Sequence, residues 1–254
     1  MLAIERRNAI LEKLQAERRV VVSELSSLYD VSEETIRRDL EKRENEGYAI
    51  KSYGGAVLNE DISLDLPFNI RKNTNVVGKQ KIAELIGDMI HDGEHIFLDA
   101  SSTAVAIAKA IKHKNDITII TNSLEIAIEL SDVSNCKVIS TGGFVVGRSF
   151  ALVGQMTDKA ISSYYVDRTI ISSKGLDVRG GITDSDERLA NNKKSMLDAG
   201  RIKVLAIDSS KFNQISFAKI GDIRDISIVV TDRKPEKEWL LKFAEYGVEC
   251  IYPE

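Results

Sequence analysis

The stretch VSEETIRRDLEKRENEG (Val31–Gly47) decides how the first part of the chain is read. Ser32 offers a hydroxyl N-cap, and Glu33 and Glu34 put negative charge on the first turn, where the helix dipole favours it. Ile36 and Leu40 make an inward stripe, while Thr35, Arg38 and Lys42 share another face. A helix of this length fits a major groove and carries donors suited to phosphates and guanine edges.

Flanking elements place this helix third in a small domain. Ile4–Ala16 has Ile4, Ile10, Leu11 and Leu14 as the inner face of a first helix. After the β-branched patch Val20–Val22, Ser23 reads as the N-cap of a second helix through Tyr29, with Leu25 and Leu28 inward. Gly47 stops the third helix, and Tyr48–Leu58 alternates around Gly54 and Gly55 as a hairpin would. Three helices and a hairpin in this order predict a winged helix-turn-helix over residues 1–58. Charge alone does not favour DNA, because this segment holds ten Lys and Arg against eleven Asp and Glu, a net of −1. The basic groups must be segregated onto one face, and Ser32, Thr35, Arg37, Arg38, Lys42 and Lys51 are the candidates. The pairs Glu34–Arg38 and Lys42–Glu46 also have ordinary helical spacing, which is worth about 0.2–0.5 kcal/mol each and would suit a merely solvated face.

SEETIRRDL, followed by Gly47 and then YGGAV, resembles the N-terminal signature of the DeoR family of bacterial transcription regulators. Thr35, Ile36, Arg37, Arg38, Asp39 and Leu40 match position by position. Arg43 departs from it: the family has an apolar residue there, usually leucine, and the helical period turns the position inward. A charged group there must snorkel or pair, with Asp39 one turn back as a partner.

The whole chain of 254 residues has net charge −4, 43% hydrophobic and 29% charged residues, as in ordinary soluble proteins. The sequence lacks both an apolar run near the roughly 18 residues of a membrane span and a signal-peptide core in MLAIERRNAI, so the expected location is the cytoplasm. Cys136 and Cys250 lie far apart and read as reduced and buried. His91 and His95 straddle the turn signal Asp92-Gly93, which argues against a metal pair, and neither a metal nor a cofactor is expected.

Residues 59–75 are polar, contain Pro67 and show no period, so they read as a linker. From residue 76 to 254 the pattern becomes α/β. After the amphipathic Val77–Ile90, apolar runs HIFLD (95–99), ITIIT (117–121), CKVIS (136–140), RTIIS (168–172), KVLAID (203–208), ISIVVT (226–231) and VECIY (248–252) alternate with helical segments. The helices fall at Ser102–Ile111, Ser123–Leu130, Met156–Ser163, Glu187–Ala199 and Glu236–Tyr246. This order predicts a mainly parallel sheet covered on both faces.

Ligands of such sheets bind beyond the carboxyl ends of the strands. There the sequence places Asp99, Ser101, Ser102 and Thr103; Thr121, Asn122 and Ser123; Gly142 and Gly143; Lys174; and Asp208 and Lys211. Hydroxyls and helix N-terminal N–H groups cradle anions, lysine adds a charge, and Asp99 and Asp208 accept from sugar hydroxyls. Each hydroxyl also suits plain helix capping. Lys79, near a helix start, is disfavoured unless an anion offsets it; Arg148 is as well explained as a solvated loop charge. The residues point to a small anionic, polyhydroxylated ligand.

This part also resembles the DeoR sensor domain, which is similar in fold to ribose-5-phosphate isomerase and coenzyme A transferases. Lys79 with Ile82-Ala83, Asp99 with Ser101–Thr103, Thr121–Ser123, Gly142-Gly143 and Asp208–Lys211 carry that resemblance, with Ser101 in place of a common glycine. It implies phosphorylated-sugar or related effectors, homo-oligomers and repression relieved by the effector. Together these readings predict a repressor of carbohydrate-metabolism genes acting on a double-stranded operator. The rival is a sugar-phosphate isomerase with an accessory helix-turn-helix, using Asp99, Glu187 and Lys174 for acid–base work. The sequence shows no compact catalytic carboxylate group in its favour.

Overall fold

The computed structural model describes residues 2–45, 48–58 and 68–254, with backbone alone at 15 and 16. The chain divides into two compact units, Met1–Leu66 and Pro67–Glu254.

In the first unit, helices α1 (Ala3–Glu17), α2 (Val22–Tyr29) and α3 (Glu33–Asn45) accompany strands β1 (Arg19–Val21), β2 (Ala49–Ser52) and β3 (Gly55–Leu58). The strands form an antiparallel sheet in the order β1-β3-β2. Ile10, Leu14, Val20, Leu25, Ile36, Leu40, Ala56 and Leu58 pack as its core. The turn at Gly54 has φ +78°, a conformation that favours glycine, and a Cβ on Gly55 would lie 2.0 Å from the Val20 carbonyl oxygen. That close approach lets β1 pair with the hairpin. It also moves the start of α2: the ladder ends at Val21, helix begins at Val22, and Ser23 lies inside the first turn rather than capping it. Leu28 and Ile4, expected inward, are exposed, because the two-turn α2 buries Val22 and Leu25 and α1 meets the core only from Ile10 onward. The predicted stop at Gly47 and the partner Glu46 lie outside the described residues.

Arg43 does face inward, as the helical period requires. Its Nε donates to the Arg7 carbonyl (3.2 Å), its Nη2 to Asn8 Oδ1 (3.0 Å), and its guanidinium lies over the Tyr48 ring. Asp39, the partner expected for it, instead takes Arg6 in a buried 2.7 Å ion pair that ties α1 to α3. Arg43 therefore occupies the apolar position by satisfying its donors on α1.

The second unit opens with α4 (Phe68–Asn73) and α5 (Val76–Met89). Residues 59–67 of the expected linker lie outside the described residues. The rest is not an irregular linker: Phe68 is fully buried against the core and stacks edge-on with Phe150, which fastens α4 to the domain. Then follow β4 (His95–Leu98), α6 (Ser102–Ala110), β5 (Ile117–Thr121), α7 (Leu124–Leu130), β6 (Cys136–Ser140), β7 (Phe144–Val146), β8 (Ala151–Val153), α8 (Gln155–Ser162), β9 (Val166–Ile171), β10 (Gly175–Asp177), β11 (Gly181–Asp184), α9 (Glu187–Ala199), β12 (Gly200–Ala206), β13 (Ala218–Gly221), β14 (Ile228–Val230), α10 (Lys237–Tyr246) and β15 (Glu249–Ile251).

Each of the seven apolar runs becomes a strand of one parallel sheet ordered β15-β14-β12-β9-β4-β5-β6. Both faces are covered, and the strand period of two sorts the side chains: on β4, Ile96 and Leu98 join α5 and α6, while Phe97 joins Ile161 of α8 and Met196 of α9. Cys136 and Cys250 lie on the two edge strands and are half-buried free thiols rather than core residues. The chain runs outward in one direction from β4 to β6 and in the other from β9 to β15. The switch point, beyond whose carboxyl ends ligands of such sheets bind, is therefore between β4 and β9. A hairpin, β7-β8, and a three-stranded antiparallel sheet, β10-β11-β13, rise from the same region.

Candidate DNA-reading helix and metabolite site

α3 begins as its sequence predicts. The Thr35 amide donates to Ser32 Oγ (3.3 Å), and the two hydroxyls are 2.9 Å apart, so Ser32 and Thr35 are occupied in starting the helix. Arg37, Arg38 and Lys42 are exposed along it. Arg37 pairs with Glu33 (2.8 Å) and Arg38 with Glu34 (3.3 Å). Lys51 of β2 lies 3.4 Å from Glu41 and 3.2 Å from Glu44, so the face mixes both signs. A groove of about 530 Å³ runs between α3 and the β2-β3 turn, lined by Arg37, Arg38, Lys51 and Tyr53 among others. Tyr53, fully exposed at the turn, was not among the sequence candidates, although an aromatic before Gly-Gly in a hairpin is a legible signal.

In the second unit the candidates divide into two clusters and some outliers. The first cluster stands at the switch point. Asp99 Oδ1 accepts from Ser101 Oγ (2.6 Å), and its Oδ2 accepts from the Ser172 amide (3.2 Å) and lies 3.1 Å from Lys193 Nζ. Lys193 also donates to the Ser172 carbonyl (2.8 Å) and to Asp184. This Asp99–Lys193–Asp184 group is buried. Burial pushes the Asp184 carboxyl up, but Lys193 and then Lys174 outweigh it and hold the group below the ordinary carboxylate range. Burial likewise pushes Lys193 down, and the two carboxylates outweigh it and raise it. Lys174, expected to meet a ligand, is thus a charge partner of Asp184.

Beside this group, Ser101 caps α6 through the Ala104 amide (3.0 Å). The amides and hydroxyls of Ser102 and Thr103 have no partner among the described residues, which leaves the α6 N-terminus able to take an anion. The α7 N-terminus is closed by comparison. Ser123 caps Ile126, its amide donates to Thr121 Oγ1 (3.0 Å), and the Leu124 amide donates to the Phe150 carbonyl (3.0 Å). Thr121 Oγ1 itself donates to the Leu98 carbonyl (2.7 Å). Asn122 donates to the Leu152 carbonyl (3.1 Å), as Asn192 of α9 also does, and Asn122 Oδ1 is buried with no partner; so is Ser173 Oγ beyond β9.

The second cluster lies beyond β12. Asp208 caps a short turn through the Ser210 amide (3.0 Å), with Lys211 following it. Lys79 is buried and donates to the carbonyls of Arg71 and Thr74 at the end of α4. Burial, helped by Lys211 and Arg71 and opposed by Asp208, lowers its pKa to about 8. The negative groups that offset Lys79 at its helix start are therefore those carbonyls and Asp208.

Gly142, Gly143 and Arg148 join neither cluster by any hydrogen bond or ion pair among the described residues. Gly142 accepts from Thr157 Oγ1 (2.7 Å), and a Cβ on Gly143, whose φ is +119°, would meet Thr157 Oγ1 at 2.3 Å, so these glycines let α8 approach. Arg148 is exposed, and its carbonyl accepts from the Phe68 amide (2.8 Å). Glu187, the base the enzyme reading needed, is exposed on the first turn of α9. Sequence reasoning missed Lys193, Asp184, Asn192 and Ser173. One signal was present: Asn192 and Lys193 sit on the stripe of α9 that also buries Leu189, Met196 and Leu197.

Comparison with known proteins places both units. Residues 6–61 match the DeoR-like helix-turn-helix domain and residues 74–233 the DeoR C terminal sensor domain. The chain is 40% identical to an HTH-type transcriptional regulator, YulB, of Bacillus subtilis (strain 168), over 91% of this chain and 90% of that one. It is 29% identical to the glycerol-3-phosphate regulon repressor of Escherichia coli (strain K12), over 92% and 93% respectively. Among solved structures it is similar to ribose 5 phosphate isomerase A from Neisseria gonorrhoeae, at 16% identity and TM-score 0.38, over 54% of this chain and 53% of that one. By its two domains and its relatives, this chain belongs to the DeoR family and is a DNA-binding transcription regulator, not an enzyme.

Proposed function

We propose that the chain is a repressor of carbohydrate-metabolism genes whose operator affinity is set by a phosphorylated sugar or a related small anionic metabolite. The carrying observation is the set of polar groups at the switch point without partners among the described residues. The open N–H groups of Ser102 and Thr103 suit a phosphate, and the partnerless Asn122 Oδ1 and Ser173 Oγ suit sugar hydroxyls. The name of the Escherichia coli relative, glycerol-3-phosphate regulon repressor, agrees with that ligand class. Asp208 and Lys211 form a second polar group next to Lys79, and Lys79 holds the end of α4. Ligand-induced movement there would pass into residues 59–75 and on to residues 1–58, leaving 76–254 as the sensor. In the first domain Ser32 and Thr35 set the helix, while Arg37, Arg38, Lys42 and Lys51 meet phosphates and base edges. A homo-oligomer would present such helices to half-sites about 34–36 Å apart.

The test is calorimetric titration with phosphorylated sugars and their unphosphorylated parents, followed by anisotropy on an operator selected from random duplexes. A phosphorylated sugar is expected to bind and to weaken operator binding, while Arg37→Ala and Arg38→Ala weaken DNA binding and leave metabolite binding intact. Absence of binding by every phosphorylated sugar would remove the metabolite reading; unchanged DNA affinity in both arginine variants would remove the helix assignment.

A further inference from the structure

The exposed cations along the groove between α3 and the hairpin are paired with acids of the same helix. Arg37 Nη2 lies 2.8 Å from Glu33, Arg38 Nε 3.3 Å from Glu34, and Lys51 Nζ 3.4 and 3.2 Å from Glu41 and Glu44. The arginine pairs have the i,i+4 spacing that steadies any helix. The Lys51 contacts do not: this lysine is on β2, so helical spacing gives no reason for two α3 glutamates to bracket it. At Lys51 the acids thus follow a cation of the groove rather than the period of the helix, and Glu44 also accepts the Lys51 amide (3.1 Å). All these side chains but the half-buried Glu44 are exposed, so the pairs open readily to a better acceptor.

Sequence-independent DNA binding comes from exchanging counterions for lysine and arginine on phosphates. A carboxylate held on each cation competes directly with a single phosphate. It competes poorly with a guanine edge, whose two acceptors take a guanidinium in a fork while the rest of the interface is in register. We infer that Glu33, Glu34, Glu41 and Glu44 are specificity-determining residues, which screen Arg37, Arg38 and Lys51 from non-specific duplex and yield them to the operator. This rests on those three cations being the contact residues, and it explains how a DNA-binding segment with net charge −1 discriminates rather than simply binds weakly.

The experiment compares the full-length protein with two double variants, Glu33→Gln/Glu34→Gln and Glu41→Gln/Glu44→Gln, on the selected operator and on a scrambled duplex of equal length and composition. Glutamine keeps the helix propensity and length of the side chain, and circular dichroism checks that each variant is folded. Freeing Arg37 and Arg38 is expected to steepen the scrambled-duplex salt slope by about 1.8, an added change of about tenfold between 50 and 200 mM salt, and freeing Lys51 alone by about 0.9, about threefold. At 50 mM salt scrambled DNA is expected to bind about tenfold tighter to the first variant and about threefold tighter to the second, with the operator tightening less than about threefold in the first and not measurably in the second, so the specificity ratio falls. Equal tightening on both duplexes, no change on either, or greater tightening on the operator in both variants would overturn the inference. Arg37→Ala in the same assay separates this from the contact assignment: if it leaves both affinities unchanged, the contact assignment itself has failed.

Discussion

Replacing Lys193 by methionine tests the buried group at the switch point. The side chains of Asp99 and Asp184 are 2% and 1% exposed, and Lys193 is the ammonium that touches both. Methionine fills much of the same volume but leaves two carboxylates without their cation and the Ser172 carbonyl without a donor. Removing one partner of a buried ion pair costs about 3–5 kcal/mol. Trp239 is the sole tryptophan; it lies in the second unit, buried, with Nε1 3.0 Å from Asn213 Oδ1, so its fluorescence reports unfolding of that unit. With a urea dependence of about 2.5 kcal/mol per molar, the midpoint should fall by about 1.2–2 M at pH 7. The pH dependence carries its own sign. In the wild type the depressed Asp184 contributes stability that is present above the unfolded carboxyl pKa of about 3.9 and is lost as pH falls through its lower folded value. In the variant, the Asp184 carboxyl, stripped of its nearest cation, takes up a proton at higher pH than in the wild type, so the deficit against wild type should shrink between pH 7 and 5. Lys194→Met, at the exposed neighbouring position, serves as the control. A midpoint shift under about 0.3 M, or a deficit independent of pH, would show that Asp184 is not held ionised by Lys193.

Two further substitutions probe single positions. Arg43→Leu restores the family's apolar residue, yet it should lower the melting temperature of the first unit, by about 1–2 kcal/mol of stability, because the Arg7 carbonyl and Asn8 Oδ1 lose their donors; a stabilised variant in calorimetry would refute this. For Lys79, burial depresses the folded pKa from 10.5 to about 8, so the unfolded chain binds the extra proton between those values and stability rises with pH there. From pH 7.5 to 9.5 the wild type should gain about 2 kcal/mol over Lys79→Met, as read by urea unfolding of both proteins; equal pH dependence would show that Lys79 is not a desolvated ammonium.

The periodic elements were legible because their causes are local. A run of five or six mostly apolar residues bounded by turn signals suffices for a strand, and each run from HIFLD to VECIY became one. The small strands β7, β8, β10, β11 and β13 were not legible, since three or four residues among glycines carry too little period to register. Capping by Ser32, Ser101 and Ser123 also followed from position alone, because a hydroxyl one residue before a helix bonds its own first turn.

Sequence by itself thus determined the two domains' classes, the parallel sheet, the order of the helix-turn-helix and the side chains gathered beyond the strand ends. Tertiary structure alone decided which of those side chains are available. Lys79 meets the carbonyls of α4, Asp99 meets a lysine 94 positions later, and Arg43 meets donor-hungry groups on α1. A buried charge is governed by whatever acceptors and counter-charges surround it in space, and those come from elements that the chain's local pattern does not pair.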